Sequence, residues 1–218
     1  MIKSECTHPN PRQGAWVWLL ALGLWLLGLG AAQAAGLGRV AVGYAHAVAI
    51  QPDGTLWAWG YNYYGQLGNG GTIGARSPVQ IGSGYAQVAA GSDHTVAVKT
   101  DGTLWAWGRT ASVLPRQIGS GYAQVAAGNF HTVAVKTDGT LWAWGANSRG
   151  QLGNGSLFTD APNPVQIGSG FAQVAAGSYH TVAVKADGTL WAWGSNDAGQ
   201  LGNGSLFTVV PKPVQIGS

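Results

Sequence analysis

Residues 94–108 read HTVAVKTDGTLWAWG, and this stretch decides the fold. Two short apolar runs flank Asp101-Gly102. An Asp-Gly pair between alternating apolar runs is a strong hairpin signal, because both turn positions favour positive φ. The pattern recurs as HAVAIQPDGTLWAWG at 46–60, HTVAVKTDGTLWAWG at 131–145 and HTVAVKADGTLWAWG at 180–194. The leading residues His46, His94, His131 and His180 are 48, 37 and 49 positions apart. Repetition on this scale signals stacked supersecondary units.

Within each copy the last run alternates large and small. The pairs Trp57 and Trp59, Trp105 and Trp107, Trp142 and Trp144, and Trp191 and Trp193 each share one strand face, with Leu and Ala on the other. A fully buried indole contributes roughly 4–6 kcal/mol of gross transfer energy, from about 150–250 Å² at about 25 cal/mol per Å². One small unit cannot bury such a face alone, so stacking of units must make the core. Three copies continue into Gly-Gln-Leu-Gly-Asn-Gly, at 65–70, 150–155 and 199–204; the second passes through Arg109 to Pro115 instead. Each copy closes on PVQIGS or PRQIGS and hands over to GYAQVAAG or GFAQVAAG.

Pro-Val-Gln-Ile, Ala-Gln-Val-Ala-Ala, His-Thr-Val-Ala-Val and Thr-Leu-Trp-Ala-Trp read as four short strands. An all-β fold follows: a β-propeller of four-stranded blades in four units, 36–83, 84–120, 121–169 and 170–218. With Pro-Val-Gln-Ile as first strand, the chain enters at a second strand (39–43) and leaves with an orphan first strand (213–216). The tail is then expected to complete the blade that the head begins, hiding two edges.

Ahead of the repeat domain, assigned to 35–218, residues 15–29 read AWVWLLALGLWLLGL. Lys3 and Arg12 precede this apolar helix, and Ala32-Gln33-Ala34 follows it. That is the pattern of a signal peptide over residues 1–34, cut after Ala34. A retained membrane anchor is the alternative, since residues 15–35 carry no charge. Export implies a secreted, periplasmic or cell-surface location and removes Cys6, leaving no cysteine to form a disulfide.

Composition narrows the function classes. Of 218 residues only 9% are charged, 36 are Gly and 11 are Trp, which opposes disorder and helical bundles. The formal net charge is +3, spread singly along the chain. Nucleic-acid binding needs clustered Lys and Arg, so no nucleic-acid partner is expected.

The motifs AGSxHTVAVKxDGTLWAWG and NxxGQLGNG resemble the regulator of chromosome condensation repeat family, over residues 36–218. The resemblance implies a propeller, usually of seven blades, acting as a binding scaffold whose loops set its function. Its founder is a nuclear guanine nucleotide exchange factor that binds chromatin. Exported bacterial members include a secreted β-lactamase inhibitor protein. This chain has an export signal, no insertion long enough to serve as the exchange factor's wedge, and four units. Four such units would subtend about four sevenths of a circle. Three outcomes stay open: a strained four-blade ring, an arc completed by a second chain, or part of a longer protein.

The repeated residues are expected to serve the blade. The four histidines pack within their own blades; only a closed four-blade ring would bring them together on an ion, so no metal is expected. Asp53, Asp101, Asp138 and Asp187 are turn formers. The Gly-rich runs lack the Lys-Ser/Thr of a phosphate loop, and no nucleophile or acid–base motif occurs, so neither cofactor nor enzyme activity is expected. The informative positions are those where near-identical copies differ, before each His and after each WAWG. They select Tyr61, Tyr63, Tyr64, Asp93, Arg109, Phe130, Arg149, Tyr179 and Asp197 as candidate binding residues on loop rims. The resulting expectation is a non-catalytic scaffold that binds another protein. The membrane is a partner only if the N-terminal segment is retained, and self-association would complete the ring. The alternatives are a structural or surface piece of a longer repeat protein and an exchange-factor-like regulator.

Overall fold

The computed structural model describes residues 39–109 and 111–217. The expected signal peptide or anchor and its apolar helix lie outside them. The described residues form sixteen strands in four sheets. The first sheet holds β1 (Val40–Val42), β2 (His46–Ile50), β3 (Leu56–Gly60) and β4 (Ala75–Gly82). The second holds β5 (Tyr85–Ala90), β6 (His94–Lys99), β7 (Leu104–Gly108) and β8 (Arg116–Gly119). The third holds β9 (Tyr122–Ala127), β10 (His131–Lys136), β11 (Leu141–Gly145) and β12 (Ala161–Gly168). The fourth holds β13 (Phe171–Ala176), β14 (His180–Lys185), β15 (Leu190–Asn196) and β16 (Thr208–Ile216). In every sheet the strands lie side by side in chain order and pair antiparallel.

This order corrects the expected exchange between tail and head. β1 opens its own sheet on β2, and β16 pairs with β15. The cause is the loop after each WAWG, which reverses the chain and lays Pro-Val-Gln-Ile beside the tryptophan strand, as in Ala58 opposite Val79. Pro-Val-Gln-Ile is therefore the last strand of its unit. The Gly82-Ser83-Gly84 link and its equivalents then start the next sheet.

Side-chain alternation builds the core between sheets. One face of the first sheet, with Val48, Ile50, Leu56 and Ala58, buries Tyr85, Val88, Ala97 and Trp107 of the second. Val96, Val98, Leu104 and Ala106 cover Tyr122, Val125, Ala134 and Trp144 in the same way. Val133, Val135, Leu141 and Ala143 cover Phe171, Val174, Ala183 and Trp193. The indole face thus nests on the aliphatic face of the preceding sheet. The outer faces of the series are uncovered: Val40 and Val42 are 70% and 75% exposed at one end, and Leu190 is 39% exposed at the other. Across the described residues the four sheets form an arc.

Three of the loops after WAWG are built around a buried asparagine. Asn62 donates to Asn69 Oδ1 (2.9 Å), the Gly71 carbonyl (2.9 Å) and the Ile73 carbonyl (3.1 Å), and its own Oδ1 accepts the Leu67 N–H (2.8 Å). Asn147 and Asn196 repeat the arrangement. The Gly runs are required because the loop lies against the next sheet's indole. A Cβ on Gly68 would stand 2.7 Å from Trp107 Nε1, and one on Gly153 2.6 Å from Trp193 Nε1.

Burial predicts the ranking of tryptophans. Trp193→Ala should cost about 3–5 kcal/mol of unfolding free energy. Trp59→Ala, whose ring is half-buried on the uncovered face of the first sheet, should cost clearly less. Urea denaturation of the two variants against the parent measures the difference; equal losses would contradict this packing.

Candidate functional site

The variable positions gather at one end of the blades. The loop after each WAWG is tied to the turn before each His: Tyr61 N–H donates to the Ala45 carbonyl (2.8 Å), Arg109 to Asp93 (2.9 Å), Ala146 to Phe130 (2.8 Å) and Ser195 to Tyr179 (2.9 Å). The Asp-Gly turns lie at the opposite end, where Tyr85 N–H meets the Gly54 carbonyl (3.1 Å) and Thr100 N–H the Gly84 carbonyl (2.9 Å).

Six of the candidate residues form one cluster across three sheets. The Arg109 guanidinium lies over the Tyr64 ring (5.0 Å) and the Phe130 ring (5.4 Å) and pairs with Asp93 at 3.2 Å. Tyr63 meets Tyr64 edge-on at 5.1 Å and stacks with Tyr61 at 6.4 Å. Tyr61 and Tyr63 are 48% and 65% exposed, so the cluster is a held aromatic surface. The sequence places Arg109 and Asp93 among the candidate contact residues; in the structure each also engages neighbours in the cluster. Arg149 and Asp197 form a separate exposed pair at 3.8 Å, and the exposed Tyr179 is tied to it through Ser195, whose N–H donates to the Tyr179 carbonyl and whose hydroxyl donates to Asp197.

The sequence reading missed Phe158 and Phe207. They are 79% and 83% exposed and take φ of 60° and 55°, a left-handed backbone that bulky residues rarely adopt. Each donates its N–H to the carbonyl of the loop asparagine, Asn147 or Asn196, at 3.0 Å. The available signal was Ser-Leu-Phe-Thr after a Gly-rich loop, which repetition between copies three and four made look like part of the unit.

The repeated Asp and Trp residues hold the other end of the blades. Asp101 Oδ1 accepts the Thr103 hydroxyl (2.6 Å) and N–H (2.9 Å), and Thr103 Oγ1 accepts Trp105 Nε1 (2.9 Å). Asp53, Asp138 and Asp187 repeat this arrangement with Trp57, Trp142 and Trp191. The threonine hydrogen bonds hold all four carboxyls below their ordinary range. Lys99, Lys136 and Lys185 lie over Trp105, Trp142 and Trp191 at 4.5, 4.5 and 4.2 Å.

The histidines reach outward to the next sheet, not within their own as expected. His46 Nε2 meets Thr95 Oγ1 at 2.9 Å, His94 meets Thr132 at 3.0 Å and His131 meets Thr181 at 3.1 Å. Thr95 donates its hydroxyl proton to the Gln66 carbonyl (2.8 Å), and Thr181 donates to Gln151 (2.9 Å). That leaves each threonine oxygen as acceptor, so His46 and His131 carry the proton on Nε2 and the bare Nδ1 has no protein partner. The first sheet has Ala47 where the others carry this threonine. Among the described residues, no three His, Cys, Asp or Glu side chains come together as a metal site.

Comparison with known proteins follows this geometry. A model of the regulator of chromosome condensation (RCC1) repeat matches residues 53–98, 138–184 and 187–218, over half the chain. A second model of the same repeat matches 39–66, 122–151 and 171–200. The chain belongs to the RCC1 repeat family. Human WBSCR16 superposes with a TM-score of 0.74 at 24% identity, covering 83% of this chain and 52% of that one. Yeast RCC1 (Prp20) bound to Kap60 gives 0.72 at 23%, covering 83% and 48%. Prp20p from Saccharomyces cerevisiae, described with its binding properties to Gsp1p and histones, gives 0.72 at 22%, covering 83% and 50%. These likenesses establish the RCC1-type propeller fold, and the chain spans about half the length of the structures it matches.

Burial lowers His46 and His94 to about 4 and His131 to about 3, from an ordinary 6.5. In the unfolded chain these groups protonate near pH 6.5, whereas in the RCC1-type arc they stay neutral. Stability is therefore full above pH 6.5 and is lost as pH falls toward 4. At pH 5 each imidazole should cost about 2 kcal/mol. Thermal unfolding at pH 7.5 and pH 5 measures this, and His94→Gln should shrink the dependence by one imidazole's share, leaving those of His46 and His131.

Proposed function

We propose that this RCC1-family chain is an exported, non-catalytic scaffold that binds another protein through the rim carrying Tyr61, Tyr63, Tyr64, Arg109, Asp93 and Phe130. The observation that carries the reading is the Arg109-centred cluster. Three sheets fix it through backbone bonds and a buried core, so its tyrosines are presented with little side-chain freedom to lose on binding. Exposed tyrosine on a rigid frame supplies contact area and a polar tip together. The apolar segment before the repeats supports export, and the scattered charge argues against nucleic acid.

Two observations favour particular alternatives. The uncovered face with Val40 and Val42, and His180, which meets no threonine among the described residues, suit a piece of a longer repeat protein or association with a second copy. The likeness to Prp20, which is described with Gsp1p, suits an exchange-factor-like regulator. Export separates that last reading from ours, because GTP and its switch proteins are inside the cell.

Fractionation of producing cells should find the chain outside the cytoplasm with Ala35 as its first residue; a cytoplasmic chain with Met1 intact would favour the exchange-factor reading. Replacing Tyr61, Tyr63 and Tyr64 together with Ala should leave thermal unfolding within a few degrees of the parent. Partner recovered by cross-linking should fall at least tenfold. Undiminished recovery would remove this rim from the reading.

A further inference from the structure

The three junctions between sheets are not alike. At the first, the loop 65–70 fills the space between sheets. The Gln66 carbonyl accepts Trp107 Nε1 (2.9 Å) and the Thr95 hydroxyl (2.8 Å). Leu67 is fully buried, and the Gly70 N–H donates to the Val113 carbonyl (3.0 Å). The third junction repeats each element. The Gln151 carbonyl accepts Trp193 Nε1 (3.0 Å) and the Thr181 hydroxyl (2.9 Å), Leu152 is fully buried, and Gly155 N–H donates to the Pro211 carbonyl (2.8 Å).

The middle junction keeps the socket and lacks the plug. Trp144 and Thr132 stand where Trp193 and Thr181 do, and Pro162 of APNPVQI stands where Pro211 does in VPKPVQI. The chain of the second unit runs from Gly108 to Pro115 without a Gly-Gln-Leu-Gly run. A cavity of about 730 Å³ opens there, lined by Trp144, Arg109, Phe130, Ile118, Ala146 and Pro162 among others. Among the described residues no carbonyl meets Trp144 Nε1, and the ring is 6% exposed where Trp107 and Trp193 are 0%.

We propose that this cleft binds a Gly-Gln-Leu-Gly-type turn carried by a partner protein. The turn would set one carbonyl on Trp144 Nε1 and Thr132 Oγ1, its leucine in the apolar floor and an N–H four residues later on the Pro162 carbonyl. The two filled junctions show that this pattern is complementary to such a socket. Capture gives the Trp144 Nε1–H a protein acceptor like those that Trp107 and Trp193 have at the filled junctions. The volume is that of an ordinary ligand pocket. The proposal rests on the scaffold reading above, but it places the contact between the second and third blades, where Arg109 and Phe130 of the rim also line the cleft and Tyr61 and Tyr63 do not.

The probe is a fluorescein-labelled, end-blocked nonapeptide of residues 147–155, Asn-Ser-Arg-Gly-Gln-Leu-Gly-Asn-Gly, titrated with the full chain and read by anisotropy. Saturable binding is expected, with loss when Asp replaces the peptide's leucine. Trp144→Phe, which keeps the ring and removes the donor, should weaken binding about tenfold. Grafting the same nine residues between Gly108 and Val113 should fill the cleft, preserve folding and abolish binding; this variant decides the matter if Trp144→Phe fails to fold. The double Tyr61 and Tyr63 alanine variant, at side chains that do not line the cleft, should bind the peptide unchanged, which separates this site from the exposed tyrosines of the rim. No saturable binding to the parent, full binding to the grafted variant, or loss in the tyrosine variant would each overturn the proposal.

Discussion

Among the described residues, each sheet after the first depends on the one before it. The second tryptophan of a unit becomes solvent-free only when the preceding sheet lays Val, Leu and Ala across it, as Trp107 and Trp193 show. Apolar burial supplies the drive and has no direction of its own. Direction comes from the chain of hydrogen bonds that runs histidine, threonine, glutamine carbonyl, tryptophan across the first and third junctions. Four polar groups that would be costly to bury singly satisfy one another there, and they do so only in one register.

That interaction explains the asymmetry of the ends. Ala47 stands in the sheet that receives no histidine, and among the described residues His180 meets no threonine. His180 is also less deeply buried than the other three, though burial lowers it too. The same logic explains the rim. Once junctions fix the blades, Arg109 can bridge Tyr64, Asp93 and Phe130 from three different sheets, and an aromatic surface gains a fixed shape without a helix or a disulfide among the described residues.

The second unit is where repetition breaks. Without its Asn-anchored loop, the sheets still stack, because Val96, Val98, Leu104 and Ala106 cover Trp144 and its neighbours. The fold thus tolerates loss of a loop whose polar half is local to one junction. What changes is the surface: a filled seam becomes an open one.

Much of the strand content, the Asp-Gly turns and the need for stacking were legible in HTVAVKTDGTLWAWG, because hairpin chemistry and two-residue alternation are local. The family was legible for the same reason, through motifs repeated four times. Three matters belonged to the tertiary structure. The loop after WAWG folds Pro-Val-Gln-Ile back onto its own unit, so the tail does not complete the head. The histidines bond to the neighbouring blade, a contact 38 to 50 residues distant that no local pattern encodes. Arg109 and Asp93, and the cavity at Trp144, acquire their roles only from what stands opposite them. Strand propensity is a property of neighbours in the chain, whereas partners across a junction are set by how whole sheets pack.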